Sequence, residues 1–338
     1  MIRSGSTDDR SILDRRRLNA GLLAVGLGGC GLAGAASAGP DIDPGPVSLP
    51  TDPSVAPLQA NLFTRMSVRA RVNGAGPYSF VIDTGATRTA VSEELANDLA
   101  LPEGPRVLVH GVTSAETART VRVGTLEIAR RRFDDVEPCV FPRAVLGADG
   151  LLGLDALAGF HLELDVAGRA VTLTPSGPGW VTFGRLVPSR LGGVRYARSR
   201  KGRFGQLILL NARIDGVATN CFVDSGAQYS IGNPALRDAV SAREVRLTAL
   251  NPIRVFGVTG QILEATPGSV SQMELNRMRL GPSRLLFADL HAFKALGLDD
   301  GPALLIGADL LSRFSRVSLD FGLSRMNFGR LRRPALQA

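Results

Sequence analysis

The 338-residue chain is short of the residues on which several kinds of chemistry depend: it has three histidines, three cysteines, one tryptophan and only two lysines, Lys201 and Lys294. His110, His161 and His291 are scattered, and no His or Cys pair has ligand spacing, so the sequence offers no metal centre. No serine sits in a G-x-S-x-G context, which removes the elbow-type nucleophile. Cys30, Cys139 and Cys221 are too few for a disulfide framework, and the last two are expected as buried single thiols. No cofactor is called for. The net charge of +8 rests on arginine, and its densest run, residues 194–205, comes with no nucleic-acid-reading motif. That run reads as a solvated strand edge or loop, and no nucleic-acid partner is expected.

Little at the N-terminus suggests a folded domain. Residues 14–40 combine an arginine cluster, a mildly apolar Gly/Ala/Leu stretch and a small-residue site at Ala36-Ser37-Ala38, the layout of an export signal. Arg15-Arg16-Arg17-Leu18 resembles a twin-arginine leader, with a general secretory signal as the alternative. Either implies a periplasmic or secreted protein. Leu27-Gly28-Gly29-Cys30 also resembles a lipoprotein signal, so anchoring through a lipidated Cys30 is the one route to a membrane. Gly26, Gly28 and Gly31 fit G-x-G-x-x-G, but inside the leader, with no preceding strand, they carry no dinucleotide reading. Removing residues 1–38 leaves 34 basic against 28 acidic residues, and beyond it no segment is apolar for long enough to span a bilayer. Residues 39–60 read as a proline-rich tether.

The 39 glycines and 20 prolines, against 5% aromatics, point to short strands and many turns. Those strands come in two matching sets. SVRARVNGAGPYSFVIDTGA (67–86) has the plan of LILLNARIDGVATNCFVDSGA (207–227): an alternating strand, an Asn-Gly or Asp-Gly turn, and an apolar strand ending in Asp. Downstream, Gly111-Val112-Thr113 answers Gly257-Val258-Thr259. LLGLDAL (151–157) answers LIGADLL (305–311), and residues 160–175 answer 314–329. This is an internal duplication, expected as an N-terminal lobe at 61–178 and a C-terminal lobe at 179–332 joined by the turn-rich segment 175–193.

Two D-[TS]-G-A loops at one position of a repeated unit, each after a buried approach strand, do not read as surface turns. Two carboxylates brought together cannot both ionise and titrate as a pair. One member can then take a proton from a water while the other polarises a carbonyl.

Asp83-Thr84-Gly85-Ala86 and Asp224-Ser225-Gly226-Ala227, each followed by an apolar-apolar-Gly signature, resemble the aspartic peptidases of the pepsin and retropepsin class. The likeness covers roughly residues 61–330. It implies an all-β, bilobal fold of two closed-barrel lobes with a cleft between them, and a single-chain, retropepsin-like aspartic endopeptidase. Asp83 and Asp224 would be catalytic, sharing one proton as is established for that class. Thr84, Gly85, Ser225 and Gly226 would support the dyad. Gly111, Val112, Thr113, Gly257, Val258 and Thr259 would form flaps over an extended peptide or unfolded protein. Gly153 and Gly307 would let a strand pass behind each catalytic loop. Thr87 and Gln228 stand where retropepsins carry an acidic residue, and neither flap has a tyrosine of the pepsin type. Two other functions stay open: a non-hydrolytic peptide- or protein-binding module on the same fold, and a processing peptidase dedicated to one envelope protein. A monomer is expected.

Overall fold

The computed structural model describes residues 22–24, 65–128, 131–166, 170–176, 197–242 and 251–332. The tether, most of the leader and the connection at 177–196 lie outside the described residues. A short strand, β1 (Leu22–Ala24), runs parallel to residues 109–111.

The first lobe opens with the hairpin of β2 (Ser67–Val72) and β3 (Ala75–Ile82). Its turn residues Asn73 and Gly74 have φ of 50° and 79°. A two-residue turn with both φ positive matches the right-handed twist of the strands, which is why Asn-Gly is favoured there. Then come β4 (Ala90–Ser92) and α1 (Glu93–Asp98), capped by the Ser92 hydroxyl accepting from the Leu95 amide. The hairpin of β5 (Val107–Gly111) and β6 (Ala115–Ala118) follows. Next are β7 (Val123–Ile128), β8 (Arg131–Val136), β9 (Cys139–Phe141) and α2 (Arg143–Leu146). The lobe ends with β10 (Gly150–Leu152), α3 (Leu154–Leu157) and the pair β11 (Phe160–Asp165) and β12 (Ala170–Pro175).

The second lobe adds β13 (Ala197–Lys201) and then repeats the plan. The hairpin is β14 (Leu207–Ile214) and β15 (Val217–Val223), turning through Asp215 and Gly216 at φ 46° and 77°. It continues with β16 (Ile231–Gly232), α4 (Pro234–Ser241), β17 (Ile253–Phe256), β18 (Ile262–Leu275), β19 (Met278–Phe287) and α5 (His291–Leu296). Last are β20 (Ala303–Ile306), α6 (Ala308–Leu311), β21 (Arg316–Asp320) and β22 (Arg325–Phe328).

Six strands of the second lobe close on themselves in the order β14-β15-β20-β16-β19-β18, with β18 returning to β14. The first lobe uses the same cycle, β2-β3-β10-β4 with β9, β8 and β7, but remains an open seven-stranded sheet. The difference lies in one strand. Where β19 runs unbroken, its counterpart is split into β8 and β9 around Glu137-Pro138. The lobes are therefore alike in plan, one closed as a barrel and the other interrupted.

The lobes are also joined by a sheet in the order β12-β11-β21-β22-β13-β14. In it β11 pairs with β21 from His161↔Asp320 to Asp165↔Arg316, so the last strands of the two repeats lie side by side. One apolar core runs through both lobes, from Phe80, Ile82 and Leu95 to Ile214, Phe287 and Phe314. Cys139 and Cys221 are buried free thiols.

Candidate active site

Both aspartates stand where a buried strand runs out. Asp83 follows β3 and Asp224 follows β15, and each is fully buried. The Asp83 amide donates to Leu152 O and the Asp224 amide to Ile306 O, so β10 and β20 run directly beside the two loops. Within each loop Oδ1 accepts two amides, from Gly85 and Ala86 on Asp83 (2.9 and 3.0 Å) and from Gly226 and Ala227 on Asp224 (2.9 and 3.0 Å). Oδ2 of each is buried with no partner outside the pair, and a proton held by either carboxyl can bond it to the other.

The carboxylates face each other across the lobe boundary. A Cβ on Gly85 would lie 2.7 Å from Oδ1 of Asp224 and closer still to its Cγ, and one on Gly226 would lie 2.6 Å from Oδ1 of Asp83. Only glycine leaves room for the opposite carboxylate.

Thr84 and Ser225 interlock these loops by four hydrogen bonds. The Thr84 hydroxyl donates to Val223 O (3.0 Å) and accepts from the Ser225 amide (3.1 Å). The Ser225 hydroxyl donates to Ile82 O (2.7 Å) and accepts from the Thr84 amide (3.2 Å). All four groups are buried, so each bond is shielded from competition with water.

Burial pushes both carboxyls above the ordinary aspartate range, Asp83 to about 6. For Asp83, the charge of Arg65 and the Ala86 and Gly85 amides oppose that rise. For Asp224, the charge of Asp83 adds to it.

Gly153 and Gly307 lie against the loops from behind: a Cβ on the first would meet the Thr89 amide at 2.8 Å, and one on the second Ala227 O at 3.1 Å. Each is followed two residues later by an aspartate that the sequence reading passed over. Asp155 accepts from the Thr89 amide (2.9 Å) and hydroxyl (2.8 Å). Asp309 accepts from the Ser230 amide (3.0 Å) and hydroxyl (2.6 Å). The same hydroxyls accept from the Gly153 amide (3.3 Å) and the Gly307 amide (2.9 Å), tying loop, glycine and acid together. The repeated D two places after G in LLGLD and LIGAD was the available signal.

Gly111 and Gly257, expected in flaps, stand at hairpin ends, and these ends meet. The Thr113 and Thr259 hydroxyls are 3.2 Å apart, and Ser114 donates to Thr259 (3.1 Å). Each tip valine is buried in the other lobe. Val112 packs with Phe222, Ile231 and Phe293, and Val258 with Val81, Ala86 and Val109. The histidines, scattered in sequence, are not all apart in space. His110 Nδ1 lies 2.9 Å from His291 Nε2 with the rings stacked, and the Ala292 amide donates to Val112 O (3.3 Å). The β5–β6 hairpin is thereby fastened to α5 of the second lobe. Among the described residues no group of three or more His, Cys, Asp or Glu side chains could hold a metal ion.

Residues 68–156 match the family described as aspartyl protease. No curated protein sequence matches the chain. Among solved structures, an aspartic proteinase from Irpex lacteus is similar at 13% identity, with 79% of this chain and 94% of that chain covered and a TM-score of 0.47. The match to the aspartyl protease family thus falls on the first lobe, and the second lobe builds the same D-[TS]-G-A loop again at Asp224.

Proposed function

We propose that the protein is an aspartic endopeptidase in which Asp83 and Asp224 activate one water for attack on a peptide carbonyl. The observation that carries this reading is the reciprocal fit of the two loops: each carboxylate sits against the other loop's glycine, with a buried Oδ2 that has no partner outside the pair. In the reacting state the pair holds one proton. The ionised member takes a proton from the water as it attacks, and the protonated member donates to the carbonyl oxygen as it becomes an oxyanion. The tetrahedral centre then collapses with proton transfer to the leaving nitrogen, and the dyad returns to one proton. The Thr84 and Ser225 bonds hold the carboxylates in this geometry, where a displacement of about 1 Å can cost ~100-fold in rate.

The substrate we infer is an extended peptide or unfolded segment held as an added strand between the flaps and the dyad. Contact of the flap tips with each other supports this, since they must part to admit a chain and can close on it. Export to the periplasm or beyond, with Cys30 lipidation as the anchored alternative, is proposed from the leader alone.

The test is a diverse peptide library incubated across the acid-to-neutral range with the wild type, Asp83→Ala and Asp224→Ala. Cleavage abolished in both folded variants is expected. Cleavage persisting in either one refutes the shared dyad.

A further inference from the structure

The duplication is not electrically symmetric, and the asymmetry sits next to the aspartates. In the first lobe β2 and β3 pair with Ser67 opposite Val81. The Ile82 amide still donates to Met66 O (2.9 Å) beyond that pair. Carried one residue further, the register puts Arg65 opposite Asp83. In the second lobe β14 and β15 pair with Ile208 opposite Phe222. Carried two residues further, that register puts Gln206 opposite Asp224. The equivalent positions therefore hold a cation in one lobe and a neutral amide in the other.

Both side chains are turned inward. The Arg65 guanidinium donates to Leu146 O (2.9 Å), while its Nε and Nη2 are buried without an acceptor. Gln206 is fully buried and donates to Gly85 O (3.2 Å), leaving its Oε1 unpartnered. A buried guanidinium with two idle donors is costly, and an apolar side chain would fill the same space more cheaply.

We propose that Arg65 is a positioning residue for the proton of the dyad: its charge stands on the Asp83 side with no counterpart at Gln206, which makes Asp83 the ionised base and Asp224 the protonated acid. This assignment rests on the peptidase reading for its catalytic meaning. The charge of Arg65 acts on Asp83 more than on Asp224 and opposes the rise that burial imposes on Asp83. Other charges nearby do not reproduce the bias. Asp155 is bonded to Thr89 with Arg88 near it, and Asp309 to Ser230 with Arg313 near it, one such pair behind each loop.

The proton can be located without any substrate. The full chain, carbon-13-labelled at the aspartate carboxyls, is titrated by NMR, with Asp83→Asn and Asp224→Asn providing the assignments. Asp83 is expected to ionise at lower pH than Asp224. Arg65→Gln is expected to raise the Asp83 midpoint by about one pH unit or more, the scale of removing a nearby opposite charge. Arg65→Lys, which keeps the cation, is expected to restore most of that shift. Gln206→Arg tests the same idea in a background that retains Arg65, and is expected to lower the Asp224 midpoint. Asp224 ionising first, an unmoved Asp83 midpoint in folded Arg65→Gln, or an unmoved Asp224 midpoint in Gln206→Arg would each overturn the proposal. If peptides are cleaved, the acid limb of kcat/KM should rise in Arg65→Gln with the Asp83 midpoint. An absence of cleavage beside the expected titrations would count against the peptidase reading alone.

Discussion

Thr84→Val is a sharp probe of the interlocked loops because it changes an oxygen for a methyl group and little else. The hydroxyl makes two of the four crossing bonds, to Val223 O and from the Ser225 amide. Each buried hydrogen bond contributes about 0.5–1.5 kcal/mol, and each buried backbone group left unpaired adds a penalty of about 1–3 kcal/mol. Two lost bonds and two orphaned groups, partly rescued by relaxation, give an expected loss of about 2–4 kcal/mol. Ser225→Ala removes the other two bonds, to Ile82 O and from the Thr84 amide, and should cost a similar amount. No bond is shared between the two hydroxyls. The double variant should therefore approach the sum, falling short only as water enters a seam already loosened by the first change. Urea unfolding followed by far-ultraviolet circular dichroism measures all three. A loss below about 0.5 kcal/mol in Thr84→Val would mean that water satisfies these groups as well as the hydroxyl does, and the argument from burial would fail.

Gly85→Ala should fold yet lose about 100-fold or more in kcat, since its methyl group would displace the Asp224 carboxylate; steady-state kinetics on any cleaved peptide would show it, and full activity would refute the close approach. Burial raises Asp309 from 3.8 to about 6, so its contribution to stability is present in acid and lost as pH climbs through that window. The loss amounts to about 3 kcal/mol at full ionisation, and the pH dependence of unfolding should flatten over the same range in Asp309→Asn. Burial and the charges of His291 and Arg203 hold His110 below the ordinary histidine value, so its ring stays neutral at neutral pH, and charging it in acid puts a cation beside Arg203 and loosens the His110–His291 contact. Amide exchange at Ala292, corrected for its intrinsic pH dependence, should accelerate on acidification and lose that response in His110→Phe. Cys139 and Cys221, buried and with thiols pushed above their ordinary range, should resist thiol reagents until the protein unfolds.

The hairpins at Asn73-Gly74 and Asp215-Gly216, the strand periodicity and the twin D-[TS]-G-A loops were legible because each is written in a few adjacent residues. The flap valines were readable as hairpin tips, but not as plugs in the opposite lobe. Nothing near Val112 in the chain announces Phe293. The same holds for His110 and His291, which lie 181 positions apart and meet only because the first flap reaches α5. Arg65 and Gln206 were hidden differently. They precede the alternating strands that drew attention, and their meaning comes from pairing register, which no single strand displays. Asp155 and Asp309 were in plain view, but an aspartate in the first turn of a short helix is so ordinary that their role needed the Thr89 and Ser230 hydroxyls to reveal it. The opening of one barrel had no such signal, since β19 carries Pro282 and still runs unbroken.

The sheet that sets β11 beside β21 has a kinetic consequence. A site assembled from two separate half-chains obeys mass action, and dilution dissolves it. Here the second half never has to be found. The loops meet at an effective concentration set by the fold, so the fraction of assembled sites should be independent of protein concentration. Freedom from self-encounter also releases each half from serving both sides of an axis. A substitution such as arginine in one lobe and glutamine in the other can then be fixed in one copy without being imposed on its twin.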